Sequence, residues 1–365
     1  MLFYLFCGVT AIQLTYYLFL FTKVSFFKPR PKEKSQQHPV SVIVCARDEA
    51  ANLAKNLPGV LVQQYPSTRE VVVVNHNSQD ETRYLLEEFQ KTFKDLRIVS
   101  LKQEAKGIPG KKYPLSMGIK ESKHEIVLLT DADCVPASEH WITRMQDAYV
   151  NGTEIVLGYG AYFKKPGVLN KLIRFETFHT ALQYFSFALA GLPYMGAGRN
   201  LSYKKTLFFR NKGFSSINHV PGGDDDLFIN QVANAKNTNV VLDSEAFTLS
   251  EPKTSFGAWY RQKGRHYTTG RYYRFKHKFL LGLYSTSHFL FYPLFVAALV
   301  TFDWRIVLGV FFLRLLVQAL VYYKAMRRLN ESDLFAWWWL LDVWMFFYYL
   351  IFAPALWKKP KKSWN

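Results

Sequence analysis

Short apolar runs, rich in β-branched residues, alternate with polar turns and helix-like stretches from about residue 40 onward. Four such runs have the length of strands, at residues 40–45, 70–74, 97–101 and 125–130. Helix-like stretches at 50–62 and 81–93 follow the first two. Alternation at this spacing predicts βαβ units and a largely parallel sheet, in which ligands bind outside the carboxyl ends of the strands.

Two long apolar regions flank this pattern, at residues 1–21 and 280–357. The first has about the length that a bilayer-spanning helix needs, and it lacks the basic start and cleavage site of a signal peptide. A buried core helix is the alternative. Five basic residues follow, which by the positive-inside rule keep the next segment in the cytoplasm: Lys23, Lys28, Arg30, Lys32 and Lys34.

The C-terminal apolar region divides into segments at 281–301, 305–323 and 334–357. The first two predict a membrane hairpin, because basic residues precede the first and follow the second. The third is left open between a spanning and a re-entrant or interfacial helix, since it contains Asp342 and Pro354 and precedes a basic tail. The expected domains are a transmembrane anchor at 1–23, a basic linker at 24–37, a soluble domain at 38–270 and a membrane-associated region at 271–365.

The chain is strongly basic, with a formal net charge of +18 over 365 residues. Nucleic-acid binding is one explanation of such a charge, but the basic residues cluster beside the apolar segments, where anionic lipid headgroups attract them. We therefore expect a membrane partner and no nucleic acid. The three cysteines, Cys7, Cys45 and Cys134, are too few and too scattered for a disulfide framework, which suits a reducing compartment.

Two carboxylates separated by one residue, Asp131 and Asp133, follow the apolar run at 125–130. At the exit of a buried strand the loop can turn both side chains toward one point. Hard divalent cations such as Mg²⁺ and Mn²⁺ prefer oxygen ligands and often share them with substrate phosphates. The pair therefore predicts a metal–diphosphate clamp, although Asp is common wherever strands become loops.

Other polar clusters fall where the same edge of the sheet is expected. Residues 46–49 and 75–80 follow the first two strands. A surface ion pair is an alternative explanation of the first cluster, and a turn with a helix cap is an alternative explanation of the second. Lys111 follows a glycine and is either the tip of a solvated loop or a contact to a phosphate. Asp224 to Asp226 precede a helix-like run, and a single acid would be enough to cap that helix. Three adjacent carboxylates repel one another, which can raise the pKa of one of them and make it suitable as a general base.

These motifs, in this order, resemble those of the family 2 glycosyltransferases. They read A-R-D-E at 46–49, N-H-N-S-Q-D at 75–80, G-K-K at 110–112, D-A-D at 131–133, G-D-D-D at 223–226 and Q-K-G-R-H at 262–266. The resemblance covers about residues 38–270 and implies an α/β GT-A fold, Rossmann-like with a mostly parallel sheet, between transmembrane helices. It also implies an enzyme that uses Mg²⁺ or Mn²⁺ and transfers a sugar from a nucleotide-sugar donor with inversion.

The resemblance assigns roles by position. It implies that the donor is bound by Ala46, Arg47, Glu49, Asn77, Asp80, Lys111 and Asp131. It implies that Asp133, with Asp131, ligates the metal, and that the general base lies in the cluster Asp224, Asp225 and Asp226. Matching the acidic pair favours Asp225 as the base, whereas counting back from the helix favours Asp224. Near the acceptor and the diphosphate it implies Gln262, Arg265 and His266.

Two departures from the family pattern bear on the donor and the acceptor. Asn75 and His76 stand where the family has an acidic pair, so recognition of the base can differ from uridine-type donors, and His266 stands where it has Trp. The acceptor implied is a lipid-linked or polysaccharide component of the cell envelope. The protein is then a multi-pass protein of the inner (plasma) membrane with a cytoplasmic catalytic domain.

Three alternatives stay open from the sequence. The chain could be a ceramide-glucosyltransferase-like enzyme that acts on a single lipid acceptor. It could also be a catalytically dead membrane scaffold with the same fold, which the two departures favour and the intact acidic motifs oppose. Residues 168–193 are either an amphipathic flap over the acceptor path or an ordinary core helix.

Overall fold

The structure is a computed structural model that describes residues 1–28, 38–103, 105, 107–150 and 152–357. Most of the predicted linker at 24–37 and all of the basic tail after 357 lie outside the described residues. The chain forms two compact units. The described residues of the helical unit lie within Met1–Pro29, Pro166–Ala190 and Thr254–Lys358, and those of the sheet unit within Arg30–Lys165 and Gly191–Lys253.

Every strand found among the described residues belongs to the sheet unit. The strands are β1 (Val40–Ala46), β2 (Arg69–His76), β3 (Leu96–Leu101), β4 (Ile126–Asp131), β5 (Cys134–Pro136), β6 (Ile155–Leu157), β7 (Gly160–Tyr162), β8 (Leu201–Lys204), β9 (Thr238–Val240) and β10 (Thr248–Ser250). One sheet has the order β3-β2-β1-β4-β8-β6-β9, and a smaller one has the order β5-β10-β7. Strands β1 to β4 run parallel, whereas β8 is antiparallel to β4 and β6. The predicted mostly parallel α/β sheet is confirmed.

Helices are divided between the two units. In chain order they are α1 (Leu2–Thr15), α2 (Thr22–Ser25), α3 (Ala50–Leu61), α4 (Thr82–Thr92), α5 (Lys112–Glu121), α6 (Trp141–Gln146), α7 (Val168–Leu189), α8 (Lys205–Arg210), α9 (Asp226–Val232), α10 (Phe256–Tyr267), α11 (Phe275–Thr301), α12 (Trp304–Arg328) and α13 (Trp338–Phe352). A π-helical segment, Tyr16–Phe21, joins α1 to α2. Helices α3 to α6, α8 and α9 belong to the sheet unit, and the others belong to the helical unit.

The central strands are buried because they are apolar almost without interruption. Residues 71–74 of β2 have no exposed surface, as expected for a parallel strand covered on both faces. Gly118 lets α5 lie close to this sheet, since a Cβ there would approach side-chain atoms of Ile43 and Val74 to 2.8 Å. This packing fixes the N-terminal end of α5, where Lys112 begins the helix.

Among the described residues, four helical segments are long and apolar enough to cross a membrane, judged by length and composition. They are Leu2–Ser25, Phe275–Thr301, Trp304–Arg328 and Ser332–Leu356. The apolar helices predicted at both ends of the chain are therefore present. The last segment contains the stretch that the sequence left open, and it satisfies the same criteria as the other three.

A cluster of buried polar side chains, which we call the ionic cluster, connects these four segments near their middles. The buried Arg314 guanidinium of α12 donates to Asp342 Oδ2 of α13 at 2.6 Å and to Gln13 Oε1 of α1 at 2.7 Å. Asp342 also accepts from Gln318 Nε2 at 2.6 Å and pairs with His288 Nε2 of α11 at 2.9 Å. Buried charges persist only where partners surround them, so the ionic cluster fixes which helix faces meet.

Helix α7 is an integral part of the helical unit. Most of its residues are buried, and its rings pack on two apolar helices, with His179 5.6 Å from Tyr284 and Phe178 5.5 Å from Tyr322 between centroids. This burial matches the core-helix alternative for residues 168–193. The compact units thus differ from the predicted domain bounds, because Pro166–Ala190 and the residues from Thr254 onward group with the apolar helices.

Removing Arg314 alone leaves the buried carboxylate of Asp342 without its cationic partner. We expect Arg314→Leu to lower the free energy of unfolding of the helical unit by about 3 kcal/mol or more. The double variant Arg314→Leu/Asp342→Leu removes both charges and should lose clearly less. Thermal unfolding in detergent micelles compares the two, with Arg305→Leu at the exposed start of the same helix as control. A double variant no more stable than the single one would contradict this role of the ion pair.

Candidate active site

The predicted polar clusters follow three parallel strands at one edge of the sheet. These strands end at Ala46 (β1), His76 (β2) and Asp131 (β4). The loops after β1 and β2 hold each other: Gln79 N donates to Asp48 Oδ1 at 2.6 Å, and Asp48 N donates to Ser78 Oγ at 3.0 Å. Asp48 has a φ of +56°, which Asp tolerates better than most residues. Hydrogen bonds between these two loops therefore fix the conformation of this edge of the sheet.

Asp80 joins the first turns of two helices. Its Oδ2 accepts from Ala50 N of α3 and its Oδ1 from Thr82 N of α4, each at 3.0 Å. Burial raises the pKa of Asp80, but hydrogen bonds from Thr82 and Ala50 outweigh it and hold this pKa below its ordinary value. The helix-cap reading of this loop is therefore present in the structure. The donor-binding roles of Ala46, Arg47, Asn77 and Asp80 stay predictions.

The carboxylates of the D-A-D motif meet as the sequence predicts. Ligand atoms of Asp131, Asp133 and Cys134 all lie within 4.8 Å of one another. Burial and the neighbouring Asp131 raise the pKa of Asp133 above its ordinary value, although Arg199 opposes the shift. Glu49 also faces this group: burial, and then Asp133 and Asp131, raise its pKa, while Asn52 opposes this by donating to it at 2.5 Å. Negative charge is thus concentrated at this point.

Three cations partly balance this charge: Lys111, Arg199 and Lys253, the last of which opposes the rise in the pKa values of Glu49 and Asp133. Lys111 Nζ forms an ion pair with Asp131 Oδ1, and its ammonium also interacts electrostatically with Asp224. The Arg199 guanidinium lies over the Tyr162 ring at 4.4 Å and donates to Ser250 Oγ at 2.8 Å. Gly160 makes room for it, since a Cβ there would lie 3.0 Å from Arg199 Cβ and 3.2 Å from its Nε.

The acidic cluster (Asp224, Asp225 and Asp226) begins helix α9. Asp225 is its N-cap: Oδ1 accepts from Asp226 N at 2.7 Å, and Oδ2 accepts from Gly198 N at 2.8 Å. Burial, followed by repulsion from Asp224 and Asp226, raises the pKa of Asp225 to about 8. Asp225 is therefore a carboxylate of fixed orientation that can take up a proton near neutral pH, as a general base must.

The Q-K-G-R-H motif lies on α10, in the helical unit. Its Lys263 is buried and paired with Glu176 of α7, and Trp259, one turn earlier, stacks on Trp344 at 6.4 Å. These contacts fix the helix within its own unit. The predicted roles of Gln262, Arg265 and His266 near the acceptor and diphosphate stay predictions.

Sequence reasoning missed three contributors to this edge. They are Arg199 beside the D-A-D motif, Gly198 as donor to the candidate base, and Lys112 beneath the acidic cluster. The run Gly196–Asn200, G-A-G-R-N, gave a weak signal, because a charged residue among small ones between two apolar stretches needs a partner. Lys112 belongs to the G-K-K motif, but the motif gave no sign of a contact with the acidic cluster, since adjacent lysines usually lie in solvated loops.

Comparisons with a family model and with known proteins both match this chain to glycosyltransferases. A sequence model described as glycosyl transferase family 2 matches residues 41–212. The chain is 28% identical to glycosyltransferase AglE of Haloferax volcanii over 192 residues, which is 51% of this chain and 58% of that protein. It is 32% identical to beta-monoglucosyldiacylglycerol synthase of Trichormus variabilis over 120 residues, which is 32% of this chain and 25% of that protein. It thus spans less than two thirds of the length of these relatives.

Among solved structures, the chain resembles mannosyltransferase PcManGT from Pyrobaculum calidifontis in complex with GDP-Man and Mn²⁺. The TM-score is 0.59 at 19% sequence identity, with 94% of this chain and 99% of that chain covered. At this identity the likeness concerns the fold, and it confirms the predicted GT-A fold.

The raised pKa of Asp225 predicts how the stability of the protein depends on pH. Between about pH 4, where a carboxyl group of the unfolded chain loses its proton, and pH 8, the native state keeps a proton that the unfolded state has lost. The contribution of this carboxyl group to stability is therefore fully present below about pH 4. It is lost as the pH rises through the native pKa of about 8. Asp225→Asn does not titrate, so its melting temperature should rise relative to wild type across this range. Melting curves in micelles at several pH values test this, with Asp243→Asn as control; a constant difference would refute it.

Proposed function

Because residues 41–212 belong to glycosyl transferase family 2, we propose that this protein is a metal-dependent, membrane-bound glycosyltransferase. It moves a sugar from a nucleotide-diphospho donor to a hydroxyl group of a lipid-linked or envelope glycan acceptor. The observation that best supports this is the Lys111 ammonium, which interacts with both Asp131 and Asp224. The motif expected to hold the donor diphosphate and the one expected to activate the acceptor therefore share one cation.

Asp225 is the general base of the proposed reaction. The acceptor hydroxyl gives its proton to the Asp225 carboxylate while its oxygen forms a bond to the anomeric carbon of the donor sugar. The bond from that carbon to the diphosphate oxygen breaks, and its electron pair leaves with the nucleoside diphosphate. Since the acceptor attacks opposite the leaving group, the anomeric configuration inverts. The N–H groups of Gly198 and Asp226 keep the carboxylate aimed throughout.

The donor set at the D-A-D motif fits a hard divalent cation. Two carboxylates supply the oxygen ligands that Mg²⁺ and Mn²⁺ prefer, and burial raises the pKa of the Cys134 thiol well above its ordinary value, so it stays neutral. Asp133 and Asp131 would hold the metal. When bound, it would neutralise charge on the departing diphosphate. Lys111 and Arg199 add positive charge from the protein at the same place.

The proposed setting is a cell membrane. The four apolar segments would anchor the protein, and the basic residues after the first one favour a cytoplasmic sheet unit at the inner (plasma) membrane. Nucleotide sugars would reach the site from the cytoplasm. Gln262, Arg265 and His266 would serve the acceptor and diphosphate, and an acceptor with a lipid anchor would already be concentrated at the bilayer.

A donor panel tests the proposed function. Purified protein in detergent is given Mg²⁺ or Mn²⁺ and several nucleotide sugars, and metal-dependent release of nucleoside diphosphate is measured. We expect release from one donor, and a loss of about 10²- to 10⁴-fold in Asp225→Asn because the base is removed. Asp243→Asn, which removes an exposed carboxylate elsewhere in the sheet unit, should retain activity.

The outcomes separate the alternatives. Release that Asp225→Asn does not reduce would contradict the assignment of the base. No release and no metal-dependent nucleotide binding with any donor would favour the catalytically dead scaffold. Binding without release directs the next assay to acceptors, beginning with diacylglycerol and ceramide, the latter testing the single-lipid alternative.

The metal site makes a separate prediction. Asp133→Asn removes a charged ligand, so we expect it to weaken Mn²⁺ binding at least about tenfold. Electron paramagnetic resonance of free Mn²⁺ measures this without any substrate. The control is Glu139→Gln, an exposed carboxylate in the following loop. Equal affinity in wild type, Asp133→Asn and the control would exclude the D-A-D motif as the metal site.

A further inference from the structure

Lys112 is a buried cation that the proposed reaction does not use. It is the first residue of α5 and only 1% exposed. Its Nζ donates to the carbonyl oxygens of Val220 and Gly222, which are 108 and 110 residues away in sequence. A lysine is almost never buried unless its charge is satisfied. The contact is therefore a specific feature, made with the residues that lead into the acidic cluster.

The segment that Lys112 contacts has a conformation that needs an external support. Gly222 and Gly223 have φ values of +81° and +82°, in the left-handed region. A Cβ at Gly223 would lie 2.5 Å from Leu227 Cδ1, so only glycine fits there. Two consecutive glycines permit this turn, but they permit many others as well. The two hydrogen bonds from Lys112 select the conformation in which both carbonyl groups face α5.

Asp225 is consequently held from two sides. Its carboxylate is oriented by the N–H groups of Gly198 and Asp226, and the backbone that leads to it is fixed by Lys112. Helix α5 is in turn fixed on the sheet by the close packing at Gly118. The position of the candidate base thus depends on the sheet in two ways, through Gly198 just before β8 and through the Lys112 side chain from α5.

We propose that Lys112 is a positioning residue for the general base: by binding the carbonyl groups of Val220 and Gly222, it sets the place from which Asp225 receives the acceptor proton. The proposal rests on the proposed function, in which Asp225 is the base. Lys111 instead forms its ion pair with Asp131 and interacts only electrostatically with Asp224, so Lys112 alone binds the backbone that leads into the acidic cluster.

The charges around Asp225 determine how its titration should respond. Asp224 and Asp226 face it from its own segment, and Lys112 faces all three carboxylates from α5. Lys111 faces Asp224. Removing the Lys112 cation leaves the acidic cluster less balanced, so the pKa of Asp225 rises. The acidic limb of the pH–rate profile should therefore move to higher pH.

The test compares Lys112→Met with Lys120→Met, which removes an exposed lysine from the same helix. For the full-length protein in micelles, we expect Lys112→Met to lower kcat about 10- to 100-fold, because the base is misplaced. The donor KM and the affinity for the free nucleotide should stay within about twofold. Lys112→Arg, which keeps the cation, should retain the wild-type pH midpoint. If Lys112→Met does not fold, Lys112→Gln, which keeps an N–H donor without the charge, carries the same pH test.

Hydrogen exchange provides a readout that needs no substrate. Peptides covering residues 218–228 should exchange at least about tenfold faster in Lys112→Met than in wild type or Lys120→Met, since the segment loses its support. Exchange and pH midpoint equal to those of Lys120→Met would overturn the proposal. Nucleotide affinity lost in proportion to kcat would overturn it as well, because Lys112 would then serve the donor. If wild type shows neither turnover nor metal-dependent nucleotide binding, the proposed function fails, and the exchange data alone decide whether Lys112 holds the segment.

Discussion

Repulsion between carboxylates at one edge of the parallel sheet is the constraint on which the candidate site depends. Burial raises the pKa values of Glu49, Asp133 and Asp225, and repulsion from neighbouring carboxylates, which burial leaves poorly screened, raises them further. The carboxylates are Glu49, Asp131, Asp133, Asp224, Asp225 and Asp226, and the cations that act on them among the described residues include Lys111, Lys112, Arg199 and Lys253. These four cations do not balance six carboxylates even when Asp225 is protonated. The edge is therefore suited to attract a divalent metal ion.

The positions of Lys111 and Lys112 in the sequence show how the fold places positive charge beside these carboxylates. Lys111 and Lys112 are adjacent at the start of α5, where successive side chains point about 100° apart around the helix axis. One contacts the end of β4, and the other contacts the segment before α9. A single helix start, held by packing on β1 and β2, thereby relates two acidic motifs that are far apart in the chain. Arg199 adds a third charge from the segment that precedes β8.

Local patterns were enough to predict strands β1 to β4, their parallel pairing and the acidic edge of the sheet, but not the short strands β5 to β10. The β-branched runs are strands within one or two residues of the expected bounds, and Asp131 and Asp133 meet as their spacing indicates. Contacts made by tertiary structure were not predictable in this way. The burial of Lys112 depends on carbonyl groups 108 and 110 residues away, and the burial of α7 depends on apolar helices that follow it. Periodicity describes one segment at a time and carries no information about such partners.

The ionic cluster has a consequence for how the chain is made. Arg314 takes its partners from Gln13 at one end of the sequence and from Asp342 near the other. In the proposed membrane setting, α12 would enter the bilayer before α13 is made, so its arginine would be without the carboxylate that later neutralises it. A guanidinium in this position disfavours stable insertion of a lone helix. Helices α11 and α12 are therefore expected to stay close to the insertion machinery until α13 emerges, and the four segments would assemble only then.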